Sequence, residues 1–119
     1  MTEQIIFTIV IIHLLADFGL QTHEQATNKS SSDKYLFYHV AVYSLVWLSV
    51  VSWITPLKSW NIYWFTIITF WAHFFTDFIT SRISKGFFDK KDFHNGFVVV
   101  GFDQALHFIQ LYFTFKYLL

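Results

Sequence analysis

At 119 residues, with eight basic against eight acidic side chains, the chain is one domain long and lacks the basic excess that a nucleic-acid partner demands. Hydrophobic residues make up 55% and charged residues only 13%, with 16 Phe, which leaves too few charges to solvate a soluble surface and points to the bilayer as solvent. With no Cys, there is no disulfide, thiolate ligand, iron–sulfur cluster or lipoprotein anchor, so any metal must be held by His and carboxylate.

The first apolar stretch, Thr2 to Gln21, has no basic residue before it and no small-residue cleavage site after it. That pattern predicts a permanent helix rather than a removable leader. The polar run THEQATNKSSSDK follows and reads as a solvated loop, with Ser31, Ser32 or Asp33 placed to cap the next helix. Tyr35 to Ile54 is the second span; Pro56 ends it and favours a tight reversal into the third, Asn61 to Thr80. The connection SRISKGFFDKKDFHNG mixes basic residues with Phe87, Phe88 and Phe93 and reads as a segment at the lipid headgroups. Phe97 to Tyr117 is the last span. Each stretch has about the 20 residues needed to cross ~30 Å of hydrocarbon. The expected fold is all-α, a single transmembrane domain over residues 1–119 forming an integral-membrane four-helix bundle, with a weak repeat that reads as a duplicated helical hairpin.

Lys29, Lys34, Arg82, Lys85, Lys90 and Lys91 fall on the first and third connections, against Lys58 and Lys116 on the other side. The bias predicts an inner (cytoplasmic) membrane protein with those connections in the cytoplasm and both termini outside. Trp53, Trp60, Tyr63 and Trp64 cluster at the outer side, as an interfacial aromatic belt does.

Against this apolar background, HLLADF puts His13 and Asp17 four apart, HFFTDF does the same for His73 and Asp77, and DQALH inverts the order with Asp103 and His107. Residues four apart share a helix face. Helix direction brings the three pairs, together with His39, to similar depth in the cytoplasmic half. A carboxylate near the middle of a spanning helix costs roughly 2.5–3.5 kcal/mol unless compensated. No Lys or Arg lies within the spans at that depth, so a cation is the expected compensation. Neutral His with carboxylate suits zinc first, then iron or manganese. Three carboxylates, two divalent ions and one hydroxide sum to zero, which predicts two ions. Gln21, Tyr35, Tyr43 and Gln110, with Thr66, Thr69, Ser81 and Thr114, lie on the same faces and are expected to orient the ligands. His23 and His94 read as loop residues outside the site.

HLLADFGLQ, the His39 segment, HFFTDF and DQALH together resemble a family of small bacterial and phage integral-membrane proteins whose function is not established. More distantly, the chain is similar to inner-membrane proteins described by inference as metal-dependent hydrolases. The resemblance implies a small helical bundle with a metal site at the seven His and Asp positions.

The functional expectation is metal-assisted hydrolysis of a lipid or lipid-linked substrate at the cytoplasmic interface, with Lys29, Lys34, Lys85, Lys90 and Lys91 attracting the anionic headgroup. The alternatives are a non-enzymatic membrane module, acting as a homo-oligomer or through a membrane partner with a structural metal, a haem bundle, and a proton or cation conductor.

Overall fold

A computed structural model describes residues 2–55 and 59–119. It is all-helical among the described residues. The elements are α1 (Glu3–Leu14), a π-helical turn (Leu15–Gly19), α2 (His23–Asn28), α3 (Asp33–Ile54), α4 (Trp60–Asp89) and α5 (Phe93–Leu118). Three of these, α3, α4 and α5, are long and apolar enough to cross a membrane.

The predicted spans meet the structure unevenly. Instead of one helix over residues 2–21, the first segment has 12 α-helical residues, about 18 Å of rise. It then widens into the π-turn, where Leu20 N–H donates to the Leu15 carbonyl at 2.9 Å. A π-turn re-aims side chains relative to α-geometry and is common at functional sites; this one carries Asp17, which is buried. The expected solvated loop contains α2. Thr22 accepts from the Gln25 amide and the Gln25 side chain accepts from the Thr22 amide, both at 3.1 Å, so Thr22-x-x-Gln25 is a capping box. Ser32 stands at the start of α3 without a side-chain capping bond. Pro56 and Lys58, which the sequence assigns to the reversal and to the charge count, lie outside the described residues.

The third connection is also mostly helix. α4 continues through Phe87 and Phe88 to Asp89, α5 begins at Phe93, and only Lys90 to Asp92 separate them. Lys91 adopts φ 59°. Its N–H donates to the Phe88 carbonyl, and that of Asp92 to the Phe87 carbonyl, both at 2.9 Å. This is a Schellman ending with lysine in the left-handed position that glycine favours. Just beyond, a Cβ on Gly96 would meet the Phe88 ring at 2.5 Å, so glycine permits the close approach of α4 and α5. His23 and His94 lie in helices, as the first residue of α2 and the second of α5, and both are exposed.

Side-chain burial is inverted relative to a water-soluble protein. Trp53 and Trp60 are 91% and 77% exposed, and Phe7, Phe97 and Phe102 face outward, whereas the four histidines His13, His39, His73 and His107 are at most 1% exposed. An apolar core fills one end of the molecule, with Ile9 from α1, Trp47 and Val51 from α3, Phe65 from α4, and Leu111 and Phe115 from α5. Trp47, Phe65 and Phe115 meet there with ring centroids 5.1–6.1 Å apart. Toward the other end, the same elements turn ionisable groups inward.

Candidate metal centre

Asp17 on the π-turn, His39 on α3, and His73 and Asp77 on α4 converge on one point. His39 Nε2 lies 3.0 Å from Asp17 Oδ1, 3.4 Å from Asp77 Oδ2 and 3.1 Å from His73 Nε2. His73 Nε2 lies 3.5 Å from Asp17 Oδ1 and 3.6 Å from Asp77 Oδ2. Five edges of a four-atom figure are therefore 3.0–3.6 Å long. Ligands 2.0–2.1 Å from a tetrahedral zinc-sized ion are separated by about 3.3 Å. The four residues could hold a metal ion, each offering one donor atom, all within 4.8 Å of one another.

Asp17, Asp103 and His107 form a second group that meets the same criterion, so Asp17 belongs to both. His107 Nε2 is 3.3 Å from Asp103 Oδ2 and 3.0 Å from Asp77 Oδ1. Asp77 therefore turns one oxygen to each group. The His73 ring is clamped between Tyr43 and His107, stacked at 3.9 and 4.1 Å. The Nδ1 atoms of His39 and His73 are buried without a hydrogen-bond partner, so both rings engage polar groups through Nε2 alone.

His13, expected as a ligand, is in neither group. Its Nδ1 is 2.8 Å from the Tyr43 hydroxyl and its Nε2 is 2.8 Å from Gln104 Oε1, whereas Asp17 Oδ2 is 3.6 Å away. Both ring nitrogens are thus taken. The Gln104 amide nitrogen donates to Asp17 Oδ2 at 3.1 Å and to Asp103 Oδ2 at 3.0 Å. Each donor in the chain meets an acceptor when the Tyr43 hydroxyl donates to His13 Nδ1, His13 Nε2–H donates to Gln104, and Gln104 donates to the two carboxylates. Thr80 adds a hydroxyl to Asp103 Oδ1. Gln104 and Thr80 were not singled out from the sequence, although Gln104 stands three before His107, on the same helix face.

Of the expected orienting residues, Tyr43 bonds His13, Ser81 donates to the backbone carbonyl of Asp77 and Thr66 to that of Ile62. Gln110 donates to Thr69 and Thr114, Gln21 Oε1 is buried without a partner, and Tyr35 is half-buried with no bond to the cluster.

The largest departure is Lys29. Expected among the headgroup-binding lysines, it reaches back from the turn after α2 to place Nζ 3.0 Å from Asp77 Oδ2. Although burial opposes its charge, Asp77 and Asp17 together hold its pKa above the usual lysine value. The spans themselves hold no lysine or arginine at that depth, but Lys29, from outside them, supplies the salt bridge that the sequence reading took to be missing. The other lysines stay outside the cluster: Lys85 pairs with Asp89, Lys34 lies 5.9 Å over the Tyr38 ring, and Lys90 and Lys91 are exposed at the α4–α5 reversal.

Residues 5–118 match the family model described as "Protein of unknown function (DUF3307)". The chain belongs to the DUF3307 family. No curated protein and no solved structure matches it. In this DUF3307 member, the described geometry alone carries the functional reading. A cavity of about 570 Å³ at the opposite end, walled by Thr2, Thr8, Thr55 and Lys116, includes none of the cluster.

Proposed function

We propose that this DUF3307 member is an integral-membrane metal-binding protein whose first helical segment and three long helices enclose one divalent cation, held by Asp17, His39, His73 and Asp77. The observation that carries the reading is the five donor separations of 3.0–3.6 Å, the spacing of ligands about a zinc-sized ion. Charge supports a single ion. Asp17, Asp77 and Asp103 bring three negative charges and Lys29 one positive, and the remaining net of −2 is cancelled by one divalent ion in a low-dielectric site. Zinc suits the donors best, then iron or manganese.

A two-ion site is the second reading, favoured by the sharing of Asp17 between the two donor groups. Haem fits less well, because the Nε2 atoms of His39, His73 and His107 each face a carboxylate within 3.6 Å. Placement in the inner membrane with the Lys29 and Lys85 side cytoplasmic follows from the lysine bias, with lipid as the surrounding partner.

The catalytic form of the proposal is hydrolysis of a lipid or lipid-linked substrate at the cytoplasmic interface, the ion supplying a Lewis acid. Its support is the accessibility of one edge of the cluster: the side chains of Lys29 and Asp103 are 19% and 13% exposed, against 2% for Asp17 and Asp77. A closed structural site in a non-enzymatic module is the alternative.

Elemental analysis and an absorption spectrum of the detergent-solubilised protein test the reading. One zinc, iron or manganese per chain is expected, lost in His73→Ala and retained in His13→Ala. Wild-type protein without stoichiometric metal, or His73→Ala with full metal content, refutes it. Two ions per chain would select the second reading, and chelator-sensitive turnover of phospholipid, isoprenyl-phosphate or acyl-ester substrates would select the catalytic form.

A further inference from the structure

Two adjoining cavities open onto the exposed edge of the cluster. The smaller, about 70 Å³, is bounded by Thr80, Ser81, Ser84 and Asp103. The larger, about 220 Å³, is bounded by Lys29, Ser30, Ser81, Ser84, Lys85 and Phe88. Ser81 and Ser84 belong to both, so the two cavities flank one stretch of α4, one walled by Asp103 and the other by Lys29.

The larger cavity is lined by two lysines and three serines, with no acidic residue among its walls. Lys85 is held by Asp89, an exposed pair four residues apart on α4, which competes weakly with any other anion. Lys29 is held by Asp77 Oδ2, the oxygen that completes the four-donor set. An ion bound there draws on the same oxygen, which leaves the half-buried ammonium in want of an anion.

We propose that this cavity binds a phosphate group beside the metal ion, with Lys29 and Lys85 as its cationic contacts and the Ser30 hydroxyl as a further donor; the Ser81 and Ser84 hydroxyls donate to the Asp77 and Ser81 carbonyls and only wall the space. The inference rests on the metal reading above. Geometry selects phosphate over carboxylate: a phosphate monoester offers three acceptor oxygens, enough to meet an ion and two lysines that wall one space. Position agrees. The 30 residues of α4 rise about 45 Å, well beyond ~30 Å of hydrocarbon, and Ser81 to Phe88 occupy its last third, where headgroup phosphates lie. The phosphate can come from a lipid headgroup or from a soluble molecule, and Phe88 supplies an apolar wall for the former.

The test uses full-length protein in nanodiscs, with zinc content measured first. Inorganic phosphate is titrated calorimetrically, and native mass spectrometry counts retained phosphatidic acid against phosphatidylcholine. Zinc-loaded wild type is expected to bind phosphate, and Lys85→Ala to weaken binding at least tenfold with zinc content unchanged; Lys29→Met should weaken it similarly. Preferential retention of phosphatidic acid identifies a lipid source, and binding of inorganic phosphate without that preference a soluble one. Zinc-loaded protein that binds neither, or binding unaltered in both lysine variants, overturns the proposal while leaving the metal reading intact. Wild type that holds no zinc overturns both.

Discussion

Asp77→Asn separates ion pairing from the proposed metal ligation, because Asp77 pairs with Lys29 and belongs to the four-donor group. Its oxygens meet Lys29 Nζ and His107 Nε2 at 3.0 Å and lie 3.4 and 3.6 Å from the Nε2 atoms of His39 and His73. The substitution keeps volume and strands the Lys29 ammonium, and breaking a buried pair from one side costs about 3–5 kcal/mol. It also removes one ligand in four. Four-ligand structural zinc sites bind with ~10–16 kcal/mol, so one ligand is worth roughly 3 kcal/mol, or about two decades of affinity. The double variant Asp77→Asn with Lys29→Met removes one charge of each sign and restores the net of −2 on which the ion depends. Thermal unfolding in detergent with chelator present should show the single variant destabilised and the double variant recovering most of the loss. Competitive titration against a chromophoric chelator should show both about a hundredfold weaker for zinc than wild type. A double variant with wild-type zinc affinity would refute Asp77 as a ligand; a single variant as stable as wild type would refute the buried pair.

Gln104→Ala removes the donor shared by Asp17 and Asp103 and is expected to weaken metal binding about 10–100-fold, measured by the same titration, with helicity by circular dichroism unchanged. Lys91→Gly relieves a left-handed lysine and should stabilise the α4–α5 reversal by roughly 1 kcal/mol, read as a higher unfolding midpoint. Lys29 titrates above the usual lysine value when folded, so its stabilising effect on the metal-free protein is fully present below that usual value and is lost as pH rises through the elevated one. Unfolding midpoints of wild type and Lys29→Met should therefore differ most at neutral pH and converge in strong alkali; a constant difference would contradict the pairing.

The division between sequence and tertiary structure is sharpest at the cluster. Composition and the four-residue spacing of His and Asp were enough to infer apolar helices with inward-facing ionisable groups, because helical period and hydrocarbon thickness are local properties. Six of the seven expected His and Asp ligands fall in the two donor groups. Which atoms meet was not legible. Within His73–Asp77 the gap is 3.6 Å, whereas His39–Asp17 and His107–Asp77, from different elements, close to 3.0 Å. Spacing sets the face and packing sets the contact. The repeat in sequence is accordingly broken in space: His73 turns Nε2 to the carboxylates, while His13 spends both nitrogens on Tyr43 and Gln104.

Some of the remaining structure has a local signal in the sequence. Thr22-x-x-Gln25 marked the start of α2, and the stretch after Ser81 has no proline to stop α4, although its basic and Phe-rich composition suggested an interfacial segment. Lys29 left no such trace. It lies 48 residues from Asp77, on a polar stretch whose lysines look alike in sequence. Only the folding of the α2 turn against α4 carries its ammonium into the carboxylates, where burial makes the charge count of the whole centre depend on it. The sequence by itself determined which groups had to be buried; the tertiary structure decided how their charges are shared.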